Sequence, residues 1–366
     1  MKRILPLFLV LCLLATASCA VFADDAAVDF DSIPFGDLFV KTTAFTINGR
    51  AYSPAEINYN YFNQFYQFYN MYSSYASYMG LDTSLGLGGL AGQACALSQD
   101  GSSWKDYFLA MATEAMVTNQ ALLDYADENG ITLSEDELAA IETDLADAEE
   151  LAASYGFTSV DQLMEANYGS GCTAELMKEM TTDYALASKA YNTVKAGIVI
   201  TDEQVLAEAP SVNVRHILIK AEADENGEFT DEALAAAKVK ADEIYAEWLA
   251  GEATEESFAA LAEQYSEDPG SNTAGGLYEN VSEGQMVQEF NDFCFDASRQ
   301  AGDTGIVYGN NGSYAGYHIM YFSGAGDIEV GRAQLLSSAL TAAIDALAEG
   351  YEVEYGPYYK LAGLFI

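Results

Sequence analysis

The chain has 366 residues, half of them apolar, which is enough for about two domains with substantial cores. Acidic residues outnumber basic ones by 56 to 15, and the resulting net charge of −41 would repel the phosphates of a nucleic acid. The five cysteines contain no CxxC pair and the only histidines are His216 and His318, so zinc-finger and disulfide-framework folds are excluded. We expect neither a metal nor an organic cofactor.

The N-terminus has the pattern of an export signal, residues 1–23. Lys2 and Arg3 precede an apolar segment, residues 4–17, that is too short for a membrane anchor. Two processing routes stay open. The signal could be cleaved after Ala23, or a lipid could be attached to Cys19, which lies in a sequence that resembles a lipobox. Both routes predict an extracytoplasmic protein, either secreted or tethered to the outer face of the cell membrane.

An acidic leader, residues 24–42, is predicted to be flexible, and a mainly helical region, residues 43–207, follows it. Residues 45–50 indicate a short strand and turn. Ser53 and Pro54 are typical of a helix start, and the helix is predicted to extend to about residue 79. Further helices are predicted at about 104–129, 134–155, 159–167 and 173–197.

Aromatic residues cover more than half the circumference of the first long helix. One set recurs at helical spacing from Ile57 onward and predicts a face buried in the domain. A second set has two interpretations, which are burial against another side of the same domain or a groove for unfolded polypeptide. The members of this second set, our candidate client-binding residues, are Tyr59, Phe62, Tyr66 and Tyr69.

The sequence pattern changes at Pro210 from helical to mixed. The predicted elements are a strand at 212–220, helices at about 229–251 and 254–264, a strand at 277–281, a helix near 286–297, and strands at 305–308 and 314–322. This order predicts an α+β unit of roughly 110 residues, which is a usual size for an independent domain.

This unit contains several separated motifs, which are Arg215-His216-Ile217-Leu218-Ile219, Tyr265-Ser266-Glu267-Asp268-Pro269-Gly270-Ser271, Gly275-Gly276-Leu277, Gly284-Gln285-Met286-Val287 with Phe290, and Gly316-Tyr317-His318-Ile319-Met320. In this order they resemble the parvulin family of peptidyl-prolyl cis/trans isomerases. The resemblance implies a parvulin domain, residues 208–326, with a four-stranded antiparallel-type sheet and about four helices. Tyr278 departs from the family pattern, because many parvulins have a small residue there.

The resemblance also implies the site. Its residues are His216, Asp268 and His318 for catalysis, and Leu277, Met286, Phe290 and Ser313 for substrate binding. Rotation about an amide bond has a barrier of about 18–20 kcal/mol, and X-Pro bonds alone populate the cis form appreciably. An apolar pocket that holds the proline, with fixed polar groups beside it, would favour the twisted amide over the planar one.

Beyond residue 326 the sequence predicts a helix at 332–348 and a short strand at 351–355. A solitary strand leaves both of its edges unpaired, so we expect residues 328–366 to return to the helical region and complete it. The parvulin unit would then be inserted in a mainly α-helical, chaperone-like domain. This layout, behind an export signal, is similar to that of the extracytoplasmic foldases of the PrsA and SurA kind.

The sequence therefore predicts an exported isomerase and chaperone that assists the folding of secreted proteins. Its partners would be unfolded or partly folded exported polypeptides with X-Pro bonds. The alternative is a non-catalytic holdase whose parvulin unit only binds proline-containing segments. A hydrolase is disfavoured because neither GxSxG nor HExxH occurs. A homodimer, a membrane tether through an N-terminal lipid, and a disulfide between Cys95 and Cys172 stay open.

Overall fold

A computed structural model describes residues 33–363, so the export signal and Cys19 lie outside the described residues. The chain divides into two compact units. We call residues up to Gly197 together with those from Leu340 onward the helical unit, and Ile198–Ala339 the inserted unit. The chain thus leaves the helical unit, forms the inserted unit and then returns.

The helical unit consists of helices and one short hairpin before the chain enters the inserted unit. These elements are α1 Phe35–Val40, β1 Phe45–Ile47, β2 Arg50–Tyr52, α2 Pro54–Tyr72, α3 Trp104–Glu128, α4 Glu135–Ser154, α5 Val160–Tyr168 and α6 Ala174–Gly197. Serines cap the N-termini of α2, α3 and α4 in capping boxes, in which the serine side chain accepts a backbone hydrogen bond and the acidic residue in the first turn accepts one in return.

Helix α1 lies within the segment for which the sequence predicts a flexible leader. Leu38 and Phe39 on this helix are 1% and 0% exposed and belong to a core that also contains Met164 of α5. Burial of these two side chains holds the segment against the rest of the unit. The flexible leader therefore does not extend to residue 42.

Helix α2 lies between two hydrophobic cores, which explains its wide aromatic arc. Phe62 is fully buried in a core that contains Trp104 and Phe108 of α3. Tyr59, 3% exposed, belongs to the second core, with Met164 of α5. Tyr59 and Phe62 therefore fill the interior of the unit and form no client-binding face, and the alternative interpretation, burial on two sides, is the one that applies to them.

The inserted unit is an α+β unit built on an antiparallel sheet. Its elements are α7 Asp202–Glu208, β3 Ser211–Lys220, α8 Asp231–Ala250, α9 Glu255–Tyr265, β4 Leu277–Ser282, α10 Gln288–Cys294, β5 Thr304–Asn310, β6 Ala315–Ala325 and the helix α11 Ile328–Ala348, which the two units share. The strand order is β4-β3-β6-β5, with every neighbouring pair antiparallel. The predicted α+β class and the four-stranded sheet are confirmed.

The sheet separates two cores because side chains alternate between its faces. On one face, Ile217 lies in a core with Phe258 of α9. On the other face, Met320 lies in a core with Phe290 of α10. The functional site described below is on this second face.

Helix α7 is an element that the sequence did not predict. Thr201 caps it in a capping box, and its Val205 is 2% exposed. At the start of α11, the Arg332 guanidinium donates to the carbonyl of Ile200 and to Asp202. These contacts join α7 to the beginning of α11 within the inserted unit.

The C-terminal tail adds a strand to the helical unit. β7, Val353–Tyr355, pairs antiparallel with β1 and gives a three-stranded sheet of order β2-β1-β7. The ring of Tyr359 packs 5.8 Å from that of Phe45, and the backbone N–H of Gly363 donates to Asn58 Oδ1 at 2.7 Å. Residues from both ends of the chain therefore build this sheet and its core.

Within residues 33–363 the cysteines are unpaired. Cys95, Cys172 and Cys294 are free and buried, and Cys95 and Cys172 lie in different cores of the helical unit. None of the helices in this range combines the length and apolarity needed to cross a membrane. Nor does this range contain a group of three His, Cys, Asp or Glu side chains arranged to hold a metal ion.

Candidate functional site

The two central strands of the inserted unit carry the two histidines on one face. In the β3–β6 ladder His216 lies opposite Met320 and Leu218 lies opposite His318, so the histidines are diagonal neighbours. Each is 3% exposed. Their Nδ1 atoms are 2.9 Å apart and their rings are stacked at an interplanar angle of 17°. The register of two strands therefore joins the histidines by a direct hydrogen bond.

Asp268 lies in the loop between α9 and β4 and extends this pair. Its Oδ2 is 2.9 Å from Nε2 of His216 and accepts a hydrogen bond of 2.6 Å from the hydroxyl of Ser271. The hydroxyl of Ser271 is also 3.1 Å from the same His216 nitrogen. The structure thus brings His216, Asp268 and His318, the predicted catalytic set, into one hydrogen-bonded network.

The network contains a carboxylate and an uncharged imidazole at neutral pH. Hydrogen bonds from His216 and from Ser271 hold the pKa of Asp268 well below its usual range, although burial acts in the opposite direction. Burial, followed by the effect of the neighbouring His216, lowers the pKa of His318 to about 3. The negative charge is therefore concentrated at the Asp268 end of the network.

Phe290 forms an apolar wall against both imidazoles. Its ring is edge-on to those of His216 and His318, with centroid distances of 5.3 and 5.5 Å, and the residue is 1% exposed. Met286 is half-buried against the same core. Met286 precedes α10, which begins at Gln288, so the predicted helix near 286–297 starts later than the sequence indicated.

Two of the predicted substrate-binding residues, Leu277 and Ser313, are not on the face of the histidines. Leu277 pairs with Arg215, and both residues point to the opposite face of the sheet. Ser313 is exposed in the turn between β5 and β6. In both places the next residue, Tyr278 or Tyr314, reaches the network instead. Side chains alternate along a strand, so a shift of one residue exchanges the two faces.

Two tyrosine hydroxyls lie at the ends of the network. Tyr278 donates to Asp268 Oδ2 at 2.9 Å, and the hydroxyl of Tyr314 is 3.0 Å from Nε2 of His318. Burial raises the pKa of Tyr278 to about 12 and also raises that of Tyr314, so both keep their protons at neutral pH. The sequence did not predict a role for either residue. For Tyr314 the sequence did contain a signal, which is its spacing from His318. The two residues are an even number of positions apart, and such residues lie on the same face of a strand.

The other candidate client-binding residues, Tyr66 and Tyr69, are half-buried in the helical unit. Tyr66 donates to the carbonyl of Asn167 at 2.7 Å, and Tyr69 stacks on Phe65 with ring centroids 5.9 Å apart. Along α2, the aromatic side chains become solvent-exposed at the end of the helix and just after it. They are Tyr72, Tyr75 and Tyr78, with 42%, 63% and 87% of their surface exposed.

The comparison with protein families agrees with this geometry. Residues 199–321 match the family described as the PPIC-type PPIase domain. This segment contains both histidines, Asp268 and Phe290, and it lies within the inserted unit. The inserted unit is therefore a parvulin-type isomerase domain.

Two curated proteins are similar to parts of this chain. The foldase protein PrsA 4 of Bacillus cereus is 43% identical over 65 residues, which are 18% of this chain and 21% of the relative. The chaperone SurA of Hahella chejuensis is 35% identical over 126 residues, which are 34% of this chain and 25% of the relative. The matched parts thus span only a fifth to a quarter of these relatives.

Solved structures of similar proteins include two PrsA proteins. The PrsA peptidylprolyl isomerase of Bacillus cereus has 23% identity and a TM-score of 0.33, with 69% of this chain and 87% of that chain covered. The foldase protein PrsA of Streptococcus pneumoniae has 14% identity and a TM-score of 0.27, with 69% and 88% covered.

Proposed function

We propose that this chain is an exported peptidyl-prolyl cis/trans isomerase and chaperone that assists the folding of exported proteins. The inserted unit would catalyse the isomerisation, and the helical unit would hold the unfolded client. The observation that carries the proposal is the buried histidine pair, hydrogen-bonded to an anionic Asp268 and walled by Phe290. The family match of residues 199–321 supports the same activity.

Electrostatics give this arrangement a means of lowering the barrier to rotation. A planar amide is stabilised by resonance that moves negative charge onto its carbonyl oxygen, and a twisted amide loses that resonance. A carbonyl held near the carboxylate of Asp268, in surroundings with little water, is disfavoured in its planar form. The site would thus favour the twisted amide relative to the planar one, which is the requirement for catalysis.

The apolar side of the site would hold the proline ring. Phe290 is fixed by packing, whereas Met286 is half-buried and has a flexible side chain that adapts to different neighbours. Such a pocket recognises the ring and leaves the remaining client sequence unconstrained. We therefore propose that the substrates are X-Pro bonds in many different unfolded polypeptides.

The helical unit would contact clients through aromatic side chains at the end of α2. Tyr72, at the end of α2, and Tyr75 and Tyr78, just after it, are exposed, and the half-buried Tyr66 and Tyr69 lie about one to two turns before Tyr72 on α2. Exposed aromatic residues in a group are typical of surfaces that bind other polypeptides. In this proposal the exposed tyrosines take the client-binding role that the sequence analysis gave to the buried residues Tyr59 and Phe62.

Export and a lipid on Cys19 remain part of the proposal, since the residues concerned lie outside 33–363. Mass spectrometry of the mature N-terminus distinguishes cleavage after Ala23 from lipidation of Cys19. A homodimer also remains a prediction, and light scattering of the purified chain tests it.

An isomerisation assay without a coupled protease tests the catalytic function. Exchange NMR on an unstructured proline peptide would show faster cis/trans exchange with the wild-type chain, and Asp268→Asn should reduce the acceleration by at least about tenfold. Asp296→Asn is a matched control, because Asp296 also accepts a serine hydrogen bond, from Ser298, but lies outside the histidine network. Peptide binding without any acceleration would favour the alternative, a non-catalytic holdase.

A further inference from the structure

Four side chains in the isomerase site form one continuous chain of hydrogen bonds. The contacts are 3.0 Å from the Tyr314 hydroxyl to His318 Nε2, 2.9 Å between the two Nδ1 atoms, and 2.9 Å from His216 Nε2 to Asp268 Oδ2. Each imidazole uses both of its nitrogens in this chain. The position of every proton therefore depends on the tautomers of the two rings.

The carboxylate determines where the protons lie. Asp268 is ionised and can only accept, so the proton of its contact with His216 is on Nε2 of that ring. When both rings are neutral, Nδ1 of His216 then carries a lone pair, and the proton between the two Nδ1 atoms belongs to His318. Nε2 of His318 is left with a lone pair, so the hydroxyl of Tyr314 is the donor.

We propose that Tyr314 is a positioning residue of the isomerase site, whose hydroxyl donates to Nε2 of His318 and holds the histidine pair in the tautomers that Asp268 imposes. This inference rests on the proposed isomerase function. Tyr314 is well held for this role, because it immediately precedes β6 and the ammonium group of Lys220 lies 6.0 Å from its ring.

The arrangement has a consequence for the substrate. The protons of Tyr314, of both imidazoles and of Tyr278 are all used in hydrogen bonds within the network. Each is donated to the next group along the path that ends at Asp268. These groups therefore offer ring faces and lone pairs to the client and retain no free donor for its carbonyl oxygen. Loss of the Tyr314 hydroxyl would leave a buried lone pair on His318 without a donor and would release the ring.

The experiment uses the full chain labelled with ¹⁵N-histidine. Its two histidines give only four ring nitrogens, so a long-range ¹H–¹⁵N spectrum identifies each tautomer directly. We expect protons on His216 Nε2 and His318 Nδ1, and lone pairs on the other two nitrogens. Tyr314→Phe should shift the signal of His318 Nε2 and lower kcat by roughly three- to tenfold, the effect of one hydrogen bond, with little change in KM.

Tyr317→Phe is the matched control. Tyr317 is on the same strand as His318 but packs in the core on the opposite face of the sheet, so its variant should leave the four nitrogen signals and kcat unchanged. A proton on His318 Nε2 in the wild-type chain, or a Tyr314→Phe spectrum identical to that of the wild type, would overturn the proposal. The expected spectrum in a wild-type chain without isomerase activity would count against the proposed function alone.

Discussion

Gly309 on β5 faces the imidazole of His318 so closely that a Cβ atom at position 309 would lie 2.6 Å from its Nε2. The nearest ring carbon would be 2.9 Å away, so the ring could not stay in place beside any larger residue. We expect Gly309→Ala to displace the imidazole, break its hydrogen bond with His216 and lower isomerase kcat by more than about tenfold. Exchange NMR on a proline peptide measures this.

The control for this variant is Gly197→Ala at the end of α6. An added Cβ there would meet nothing within 4 Å, so isomerase activity should be unchanged. Full activity of Gly309→Ala would mean that the position of the His318 ring does not matter for catalysis.

Gly270 and Tyr278 depend on each other in the same way. A Cβ at position 270 would lie 2.7 Å from the Tyr278 hydroxyl, which donates to Asp268. Gly270→Ala and Tyr278→Phe should therefore remove the same hydrogen bond, each lowering kcat by roughly three- to tenfold, and the double variant should be no worse than either single one. Additive losses in this double-mutant cycle would contradict the shared contact.

The stability of the inserted unit should fall as the pH is lowered from about 7 to about 5. The pKa of His318 in the folded chain, about 3, is below its unfolded value of about 6.5, so between these values only the unfolded chain binds the proton. The loss down to pH 5 should be about 2 kcal/mol, measured by urea unfolding. His318→Gln should be less sensitive to pH over this range, and equal sensitivity of the two proteins would refute the assignment.

The fragment 198–339 should fold alone and be more stable than the fragment 208–326. The shorter one lacks α7, with its buried Val205, and the hydrogen bonds of Arg332 with Ile200 and Asp202. Loss of the Val205 contacts alone should reduce the unfolding free energy by about 1–3 kcal/mol. Both fragments contain the whole site and should be active, and thermal melts with equal midpoints would show that α7 contributes nothing.

Exposed and buried tyrosines of the helical unit should respond differently to substitution. The double variant Tyr75→Ser with Tyr78→Ser should weaken suppression of client aggregation and leave the Tm of the helical unit unchanged, because both side chains are exposed. Tyr59→Ser should instead lower the Tm, since its ring is buried in the core. Unaltered client protection by the exposed pair would remove these residues from the proposed surface.

Periodicity predicted the helices and strands of this chain well, but it did not predict which residues each face packs against. The sequence predicted the strands that carry the histidines, because alternation along a strand is a local property, and the parvulin resemblance implied that both histidines belong to one site. The aromatic arc of α2 indicated how much of the helix is buried, but it could not reveal a second core behind Tyr59 formed by residues about a hundred positions away.

The sequence also could not predict which of two neighbouring residues on a strand faces the site. Leu277 and Ser313 were each predicted at the site, and in both cases the neighbouring tyrosine occupies it. The paired partner of a strand residue depends on the turns and bulges of distant segments, such as the irregularity between Val212 and Val214 in β3. No local pattern in the sequence contains that information. Short helices such as α7 are equally hard to predict, because their seven residues make barely two turns.

The pairing of β1 with β7 has a consequence for the order in which a newly made chain can fold. The two strands are separated by some 300 residues, so the sheet of the amino-terminal hairpin cannot be completed until the segment that follows the isomerase domain is available. The isomerase domain, which is contiguous in sequence, can fold before that moment. Once folded, it replaces a long flexible loop by a compact body and so lowers the entropic cost of bringing the two strands together. The domain that is proposed to assist the folding of other proteins would thereby also assist the folding of its own chain.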